Sequence, residues 1–510
     1  MLYQAYKPMR NFLRSCNLAN SLFDLWQISN DLEEERQRTA YPISKCRISD
    51  GILKWDIPDL AREVVLHATL QGTERLDNRQ SLARVVNSLR GVNDRAVGLR
   101  IAAQKTPEDI WDEILRVAQQ QFPWQQQNTD RALLRYLKIF TAPQVASLVE
   151  SETSLSVRDF FFLGMAVTGR FIRNPLINRE QSFEEFGVSK AKSAEFFKRI
   201  STNVDDLRNH YKKFSTFDKF WDLQWSPLEA TPLIAPIPSQ PNFLFCPVPV
   251  FMKRRFSSGL YYDLCRNPKF GNAFGKAFEE YLAEVIQHAF PVEKFTVHPE
   301  RPYMVKGNTH HGPDQIITDS TASLFLECKT KRLTLNAKID PDSSAMLTDI
   351  ASIAEAVVQS YQNILEAEQG ISHWQPNGLP SIPLVVTLED WFFMGDMNKL
   401  LASEVDKKLK LAGMDPTLPQ RMPYAVMSAK EFEDAAGTIS KIGLKTFFFG
   451  IRNKKFDNWR WNAYMAEQFP DYVQINYFEI FSKDFLRVLS EKGVPENWKA
   501  TWAGEWQQTV

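Results

Sequence analysis

Apolar residues recur at three- and four-residue spacing through most of residues 1–225, notably over 82–103, 108–121 and 131–140, with polar breaks between the runs. That spacing lays one apolar stripe along each helix, so the pattern predicts a mainly α-helical N-terminal domain. Its most apolar run, 159–171 (DFFFLGMAVTGRF), is shorter than the roughly 20 residues a membrane-spanning helix requires and reads as a buried core helix. A basic and aromatic run over 205–221 closes the region as an amphipathic packing helix.

Between Pro227 and Pro249 seven prolines fall within 23 residues, a density that excludes helix and favours extended chain or edge strands. The domain boundary is therefore expected at 226–250. Its apolar tail (Phe243, Leu244, Phe245, Val248, Val250) should pack on the domain that follows. From residue 270 the pattern changes to helix, strand, strand, helix, strand, helix, strand, the rhythm of an α/β (α+β) domain with a mixed sheet flanked by helices. The first helix is expected at 271–290, a hairpin at 313–318 and 324–332, a second helix at 350–369 and a buried strand at 382–388. The core domain then spans 251–395, and 396–510 is an extension that completes or buttresses its sheet.

Composition adjusts this picture in three ways. A chain of 510 residues exceeds what one hydrophobic core serves, in keeping with several domains. Lys plus Arg and Asp plus Glu both total 61, so no global field attracts a polyanion and any grip on nucleic acid must be local. The five cysteines (Cys16, Cys46, Cys246, Cys265, Cys328) are scattered without a CxxC pair, which speaks against a disulfide framework or thiolate zinc site and fits a reducing cytoplasm. Lys7, Arg10, Arg14 and Asp24 interrupt the N-terminus, so no signal-peptide core forms there and a cytoplasmic location without membrane attachment is expected.

The candidate chemistry lies in GPDQIITDSTASLFLECKTKRL, residues 312–333, where two β-rich runs flank the polar turn 319–322. If Thr318 faces Ser323, facing residues carry numbers that sum to 641, and Asp314 stands across from Glu327. Side chains alternate along a strand, so Lys329 joins Glu327 on one face while Leu326 and Cys328 point to the other. Two adjacent carboxylates repel unless a cation sits between them, and hard oxygen ligands suit Mg²⁺. Lys329 can then orient, or with a lowered pKa deprotonate, an attacking water. The plainer alternative is a solvated hairpin with a cross-strand charge pair, but Leu324, Phe325 and Leu326 give this strand apolar residues on both faces and argue for a central position.

Upstream, Glu279 borders the helical stripe Phe274, Phe278, Leu282, Val285, Ile286 and Ala289. A carboxylate there needs a partner, either a metal-centred acidic cluster or an ordinary ion pair, and Glu280 or Glu284 takes its place if the helix is rotated. His311, after His310 and before the Pro-Asp pair, is within sequence reach of a scissile phosphate. Lys331 and Arg332, with Lys338, supply positive charge for phosphate contacts. A later cluster, Arg452, Lys454, Lys455 and Arg460 beside Trp459 and Trp461, reads either as a nucleic-acid contact or as an exposed edge strand and loop. Glu389 and Asp390 read as a strand-end turn.

A helix with G-x-x-F-E-x-Y (Gly275, Phe278, Glu279, Tyr281), then Pro313-Asp314, then Glu327-Cys328-Lys329 on a hairpin, resembles the PD-(D/E)XK nuclease superfamily, the restriction-endonuclease-like fold, over residues 245–395. The resemblance implies a metal-dependent nuclease in which Glu279, Asp314, Glu327 and the carbonyl of Cys328 hold one or two Mg²⁺ ions, Mn²⁺ serving in their place, while Lys329 positions the water. It also implies products ending in 5′-phosphate and 3′-hydroxyl. DNA is the favoured substrate and RNA the second, in restriction or anti-phage defence. The helical N-terminal domain would dock a protein partner or self-associate. One motif of some branches, Q-x-x-x-Y, is absent: Val357, not glutamine, precedes Tyr361 at that spacing, and Tyr361 belongs to an apolar stripe with Ile350, Ile353 and Ile364. The alternative from another class is a non-catalytic nucleic-acid-binding or assembly protein that retains the fold.

Overall fold

In the computed structural model, residues 2–34, 40–42, 51–104, 110–125, 129–340, 343–472 and 477–494 are described. The chain divides into two compact units, one of Met1–Pro107, Gln120–Phe270 and Phe481–Val510, the other of Glu108–Gln119 and Gly271–Ile480.

The first unit is mainly helical, as the three- and four-residue spacing predicts. Helices Leu2–Leu13, Leu18–Glu34, Asp56–His67 and Arg79–Ala102 bury Leu13, Leu22, Leu25, Leu60, Val64, Val86 and Leu89 in one core. The apolar run forms helix Val157–Phe171 with Phe160, Phe161, Leu163, Val167 and Phe171 fully buried. Gly164 is required there, because a Cβ would stand 2.3 Å from the Phe256 ring. No described helix is long and apolar enough to cross a membrane.

The proline-rich segment corrects one expectation. Its extended chain packs within the first unit rather than on the domain that follows. Phe243–Phe245 pairs with Leu176–Asn178 on one side and with Leu233–Ala235 on the other, and Ser201–Asn203 completes a four-stranded sheet. Strands with buried apolar residues need ladder partners, and one of the two that flank Phe243–Phe245 is supplied from far upstream. Pro249 opens helix Pro249–Phe256, where its missing N–H costs nothing.

The second unit is a mixed α/β fold. In chain order it contains α1 (Phe270–Ala289), β1 (Thr296–Pro299), β2 (Tyr303–Val305), β3 (Asn308–His310), β4 (Gln315–Thr318), β5 (Ser323–Lys329), α2 (Ser344–Glu368), β6 (Ser381–Thr387), α3 (Asp396–Leu411), β7 (Ala425–Ser428), α4 (Ala429–Ile442) and α5 (Trp461–Gln468), with shorter turns between. Five strands form one sheet in the order β7-β6-β5-β4-β1, in which β1, β4 and β5 are antiparallel neighbours and β5, β6 and β7 run parallel. Strands β5 and β6 are buried almost end to end, which suits their continuous apolar sequences to the centre of a sheet covered on both faces. Strands β2 and β3 form a separate hairpin.

Helix α1 buries the predicted stripe, and its Tyr281 hydroxyl donates to Glu433 Oε1 of α4 at 2.8 Å. Helix α2 starts at Ser343, whose side chain accepts the Met346 N–H, and buries Ile350, Ile353, Val357, Tyr361 and Ile364. The extension is not a single appendage: β7 completes the sheet, whereas residues 481–494 belong to the first unit.

Candidate metal centre

The antiparallel register of β4 and β5 is Gln315↔Leu326, Ile316↔Phe325, Ile317↔Leu324 and Thr318↔Ser323, each pair summing to 641 as expected. Asp319 pins the turn: its Oδ1 accepts the N–H groups of Thr321 (2.7 Å) and Ala322 (2.9 Å) and the Thr321 hydroxyl (2.6 Å). One residue before β4, Asp314 reaches across to β5 and its Oδ2 accepts the Cys328 N–H at 2.6 Å. Cys328 therefore engages Asp314 through its N–H and its thiol; its carbonyl as a metal ligand rests on the resemblance alone.

Sequence reasoning missed Glu300. Strand β1 pairs with β4 in the register Gln315↔Pro299, so the next residue falls beside Asp314, and the Glu300 N–H donates to the Asp314 carbonyl at 3.1 Å. From α1 comes Glu279, not Glu280, which is exposed. One carboxylate oxygen from each of Glu279, Glu300 and Asp314 lies within 4.8 Å of the others, a grouping able to hold a metal ion.

Glu327 is buried at 4% exposure on the adjoining strand. Its Oε1 accepts from Lys329 Nζ at 2.8 Å, whereas its Oε2 is buried with no hydrogen-bond partner. A desolvated carboxylate oxygen without a donor is costly unless a cation completes it, so the donor set fits a hard divalent ion. Burial first, then the charges of Glu327 and Glu279, pushes the Asp314 carboxyl up to about 7. Burial likewise raises Glu327, against the opposing pull of Lys329. For Lys329, burial disfavours the charge but Glu327 and Asp314 outweigh it, so the amine is held above its ordinary pKa. That direction favours the ammonium over the deprotonated base that sequence reasoning also allowed.

The other expected contacts divide. His311 is exposed, and its Nδ1 lies 2.8 Å from Glu300 Oε1, directly beside the acidic group. Lys331 Nζ pairs with the buried Asp349 at 2.8 Å. Arg332 is a correction: its guanidinium is buried and paired with Glu389 at 3.2 Å, which takes it away from any phosphate and makes Glu389 more than a turn residue. His310 turns aside to Glu366 at 3.2 Å.

The later basic and aromatic cluster forms no edge strand. It is a short helical turn, Lys454–Phe456, followed by α5. Arg460 pairs with Asp390 and with Glu431, and the segment walls a cavity of about 330 Å³ with Trp459 and Trp461.

No protein-family model, curated protein or solved structure matches this chain.

Proposed function

We propose that the second unit is a metal-dependent nuclease that hydrolyses phosphodiester bonds, in DNA before RNA. The observation that carries this reading is the partnerless, buried Oε2 of Glu327, whose charge acts on Asp314 of the Glu279, Glu300 and Asp314 grouping, with Lys329 paired to its other oxygen. The order α1, β1, β4, β5, α2, β6 around a mixed sheet supports a restriction-endonuclease-like core. Electrostatic clusters of this kind, with strongly perturbed carboxyls, concentrate at functional sites.

Glu279, Glu300, Asp314 and Glu327 would hold Mg²⁺ or Mn²⁺. When bound, the ion offsets phosphate charge and lowers the pKa of a coordinated water. Asp314 is fixed by the Cys328 N–H, so its orientation is set before any ligand arrives. Lys329 donates to Glu327 and, as a cation with further N–H groups, orients the attacking water or a phosphate oxygen. His311, bonded to Glu300, is positioned to meet the strand at the rim. Restriction or anti-phage defence is the setting this reading suggests, with the helical unit docking a partner.

The test is hydrolysis of plasmid, single-stranded DNA and RNA with Mg²⁺, Mn²⁺ or EDTA. Asp314→Ala and Lys329→Ala should each lower the rate by about 100-fold or more while leaving the far-UV spectrum unchanged. Activity in EDTA, or full activity in both variants, would refute the assignment. Binding without hydrolysis would instead favour a non-catalytic protein of the same fold.

A further inference from the structure

From the strand that bears Glu327 and Lys329, the same face of the sheet leads across the next two strands to the 330 Å³ cavity. In the parallel pairings Lys329 partners Thr387, Thr387 partners Ser428, and Glu327 partners Val385, which partners Val426. Paired residues of neighbouring strands project to the same face, so Thr387, Val426 and Ser428, which line the cavity, extend the surface that bears Glu327 and Lys329. One strand spacing, about 4.8 Å, separates the Lys329 and Thr387 backbones, and the Leu388 N–H donates to the Lys329 carbonyl at 3.0 Å.

Part of the wall of this cavity is aromatic. Trp391 and Phe393 stack at 5.8 Å with their planes 7° apart, and Tyr424, Trp459 and Trp461 complete it. The stack depends on Phe392 between them, which adopts φ +53°, and Asn458 beside Trp459 adopts φ +63°. A phenylalanine occupies that region only where packing enforces it, whereas asparagine enters it readily. The polar lining contains Asp390, Glu431 and Asp457 against Arg460. Arg460 pairs with Asp390 and Glu431 and also lies 4.8 Å over the Phe392 ring. With three carboxylates against one guanidinium, the lining has no excess positive charge to receive a phosphate. The aromatic side chains of the lining suit a flat ring.

We propose that this cavity receives the base of a nucleotide adjoining the scissile phosphate, the phosphate itself staying on the Lys329 side, so that the substrate is single-stranded or locally unpaired nucleic acid. The proposal rests on the nuclease reading for its neighbour and on the cavity for its content. A base can enter such a slot only out of the helical stack, and stacking on aromatic side chains recognises any base by its π-face. Trp459, 38% exposed and edge-on to Phe456 at 5.3 Å, is the wall residue an incoming base meets.

The test compares a short labelled deoxyoligonucleotide with a base-free deoxyribose-phosphate strand of equal length, by fluorescence anisotropy on the full chain with Ca²⁺, and separately follows hydrolysis with Mg²⁺. The native protein should prefer the base-bearing strand about tenfold; Trp459→Ala should lose that preference and Trp459→Phe should keep it. A preference unchanged in Trp459→Ala, or equal binding of the two strands by the native protein, overturns the pocket even if DNA is cut. Base-dependent binding lost in Trp459→Ala without any hydrolysis upholds the pocket and removes the nuclease assignment. If neither binding nor cutting occurs, both fall.

Discussion

At the scale of residues, two carboxyls buried near each other cannot both ionise cheaply, and both Asp314 and Glu327 are pushed up. The folded-state pKa of Asp314, about 7, raised by burial and then by Glu327 and Glu279, lies well above the ordinary aspartate value. The folded protein therefore binds a proton that the unfolded chain releases near pH 4, and the stability this contributes is present below about pH 4 and lost as pH rises through about 7. Metal-free protein should accordingly melt lower at about pH 8 than at about pH 5, and Asp314→Asn should remove that component, melting above the native protein at the higher pH. Mg²⁺ or Mn²⁺ should raise the native melting temperature at the higher pH and do little for the variant. Calorimetry in EDTA and in metal reads all of this, and identical pH responses of the two proteins would refute it. Of the site's residues, Asp314, Glu327 and Lys329 were legible because alternation and one turn fix their face. Glu300 was not, although the same arithmetic across β1 and β4 finds it: Gln315↔Pro299 makes facing numbers sum to 614, which pairs residue 300 with 314. The obstacle was that β1 is mostly exposed and lacks an apolar alternation to announce a strand.

Elements depend on a few pins, and Asp319 is the one that matters most to the site. Besides closing the β4–β5 turn, its Oδ2 accepts the Leu444 N–H at 2.7 Å, tying the hairpin to helix Leu444–Gly450. A slip of one residue in that hairpin would carry Glu327 to the opposite face of the sheet. Asp319→Ala should cost about 2 kcal/mol in urea denaturation, several hydrogen bonds of about 1 kcal/mol each being lost with partial compensation by water. It should weaken Mn²⁺ binding as well, although Asp319 touches no metal candidate. Unchanged stability and unchanged metal binding would show that the register is held elsewhere. The hairpin, α1, α2 and β6 were readable because each carries its own period and boundary residues. The fate of the proline-rich segment was not, because its ladder partner Leu176–Asn178 is a three-residue strand whose sequence says nothing about what pairs with it. Nor was the use of Arg332, since its partner Glu389 lies on the far side of α2 and β6 in the chain.

For the whole molecule, equal numbers of acidic and basic residues give zero formal charge, and the cations around the candidate site repeat that balance locally. Lys276 pairs with Glu279 at 3.0 Å, Lys329 with Glu327 at 2.8 Å, Lys331 with Asp349 at 2.8 Å and Lys455 with Glu467 at 2.6 Å. A phosphate arriving at such a surface must take its cation from a carboxylate, so few phosphates are neutralised outright, and metal ions and base contacts have to supply what a basic groove supplies elsewhere. Each phosphate neutralised on a single strand contributes a slope of about −0.7 to log affinity against log salt; one to three contacts therefore predict a slope of about −1 to −2 between roughly 50 and 200 mM. Anisotropy titrations at fixed divalent metal measure it directly. A slope of about −5 or steeper would mean a basic track along the chain that these pairings do not leave open, and would move the nucleic-acid contact away from the acidic group. A shallow slope combined with a preference for base-bearing strands would tie recognition to the aromatic cavity, because stacking responds weakly to salt where charge neutralisation responds strongly.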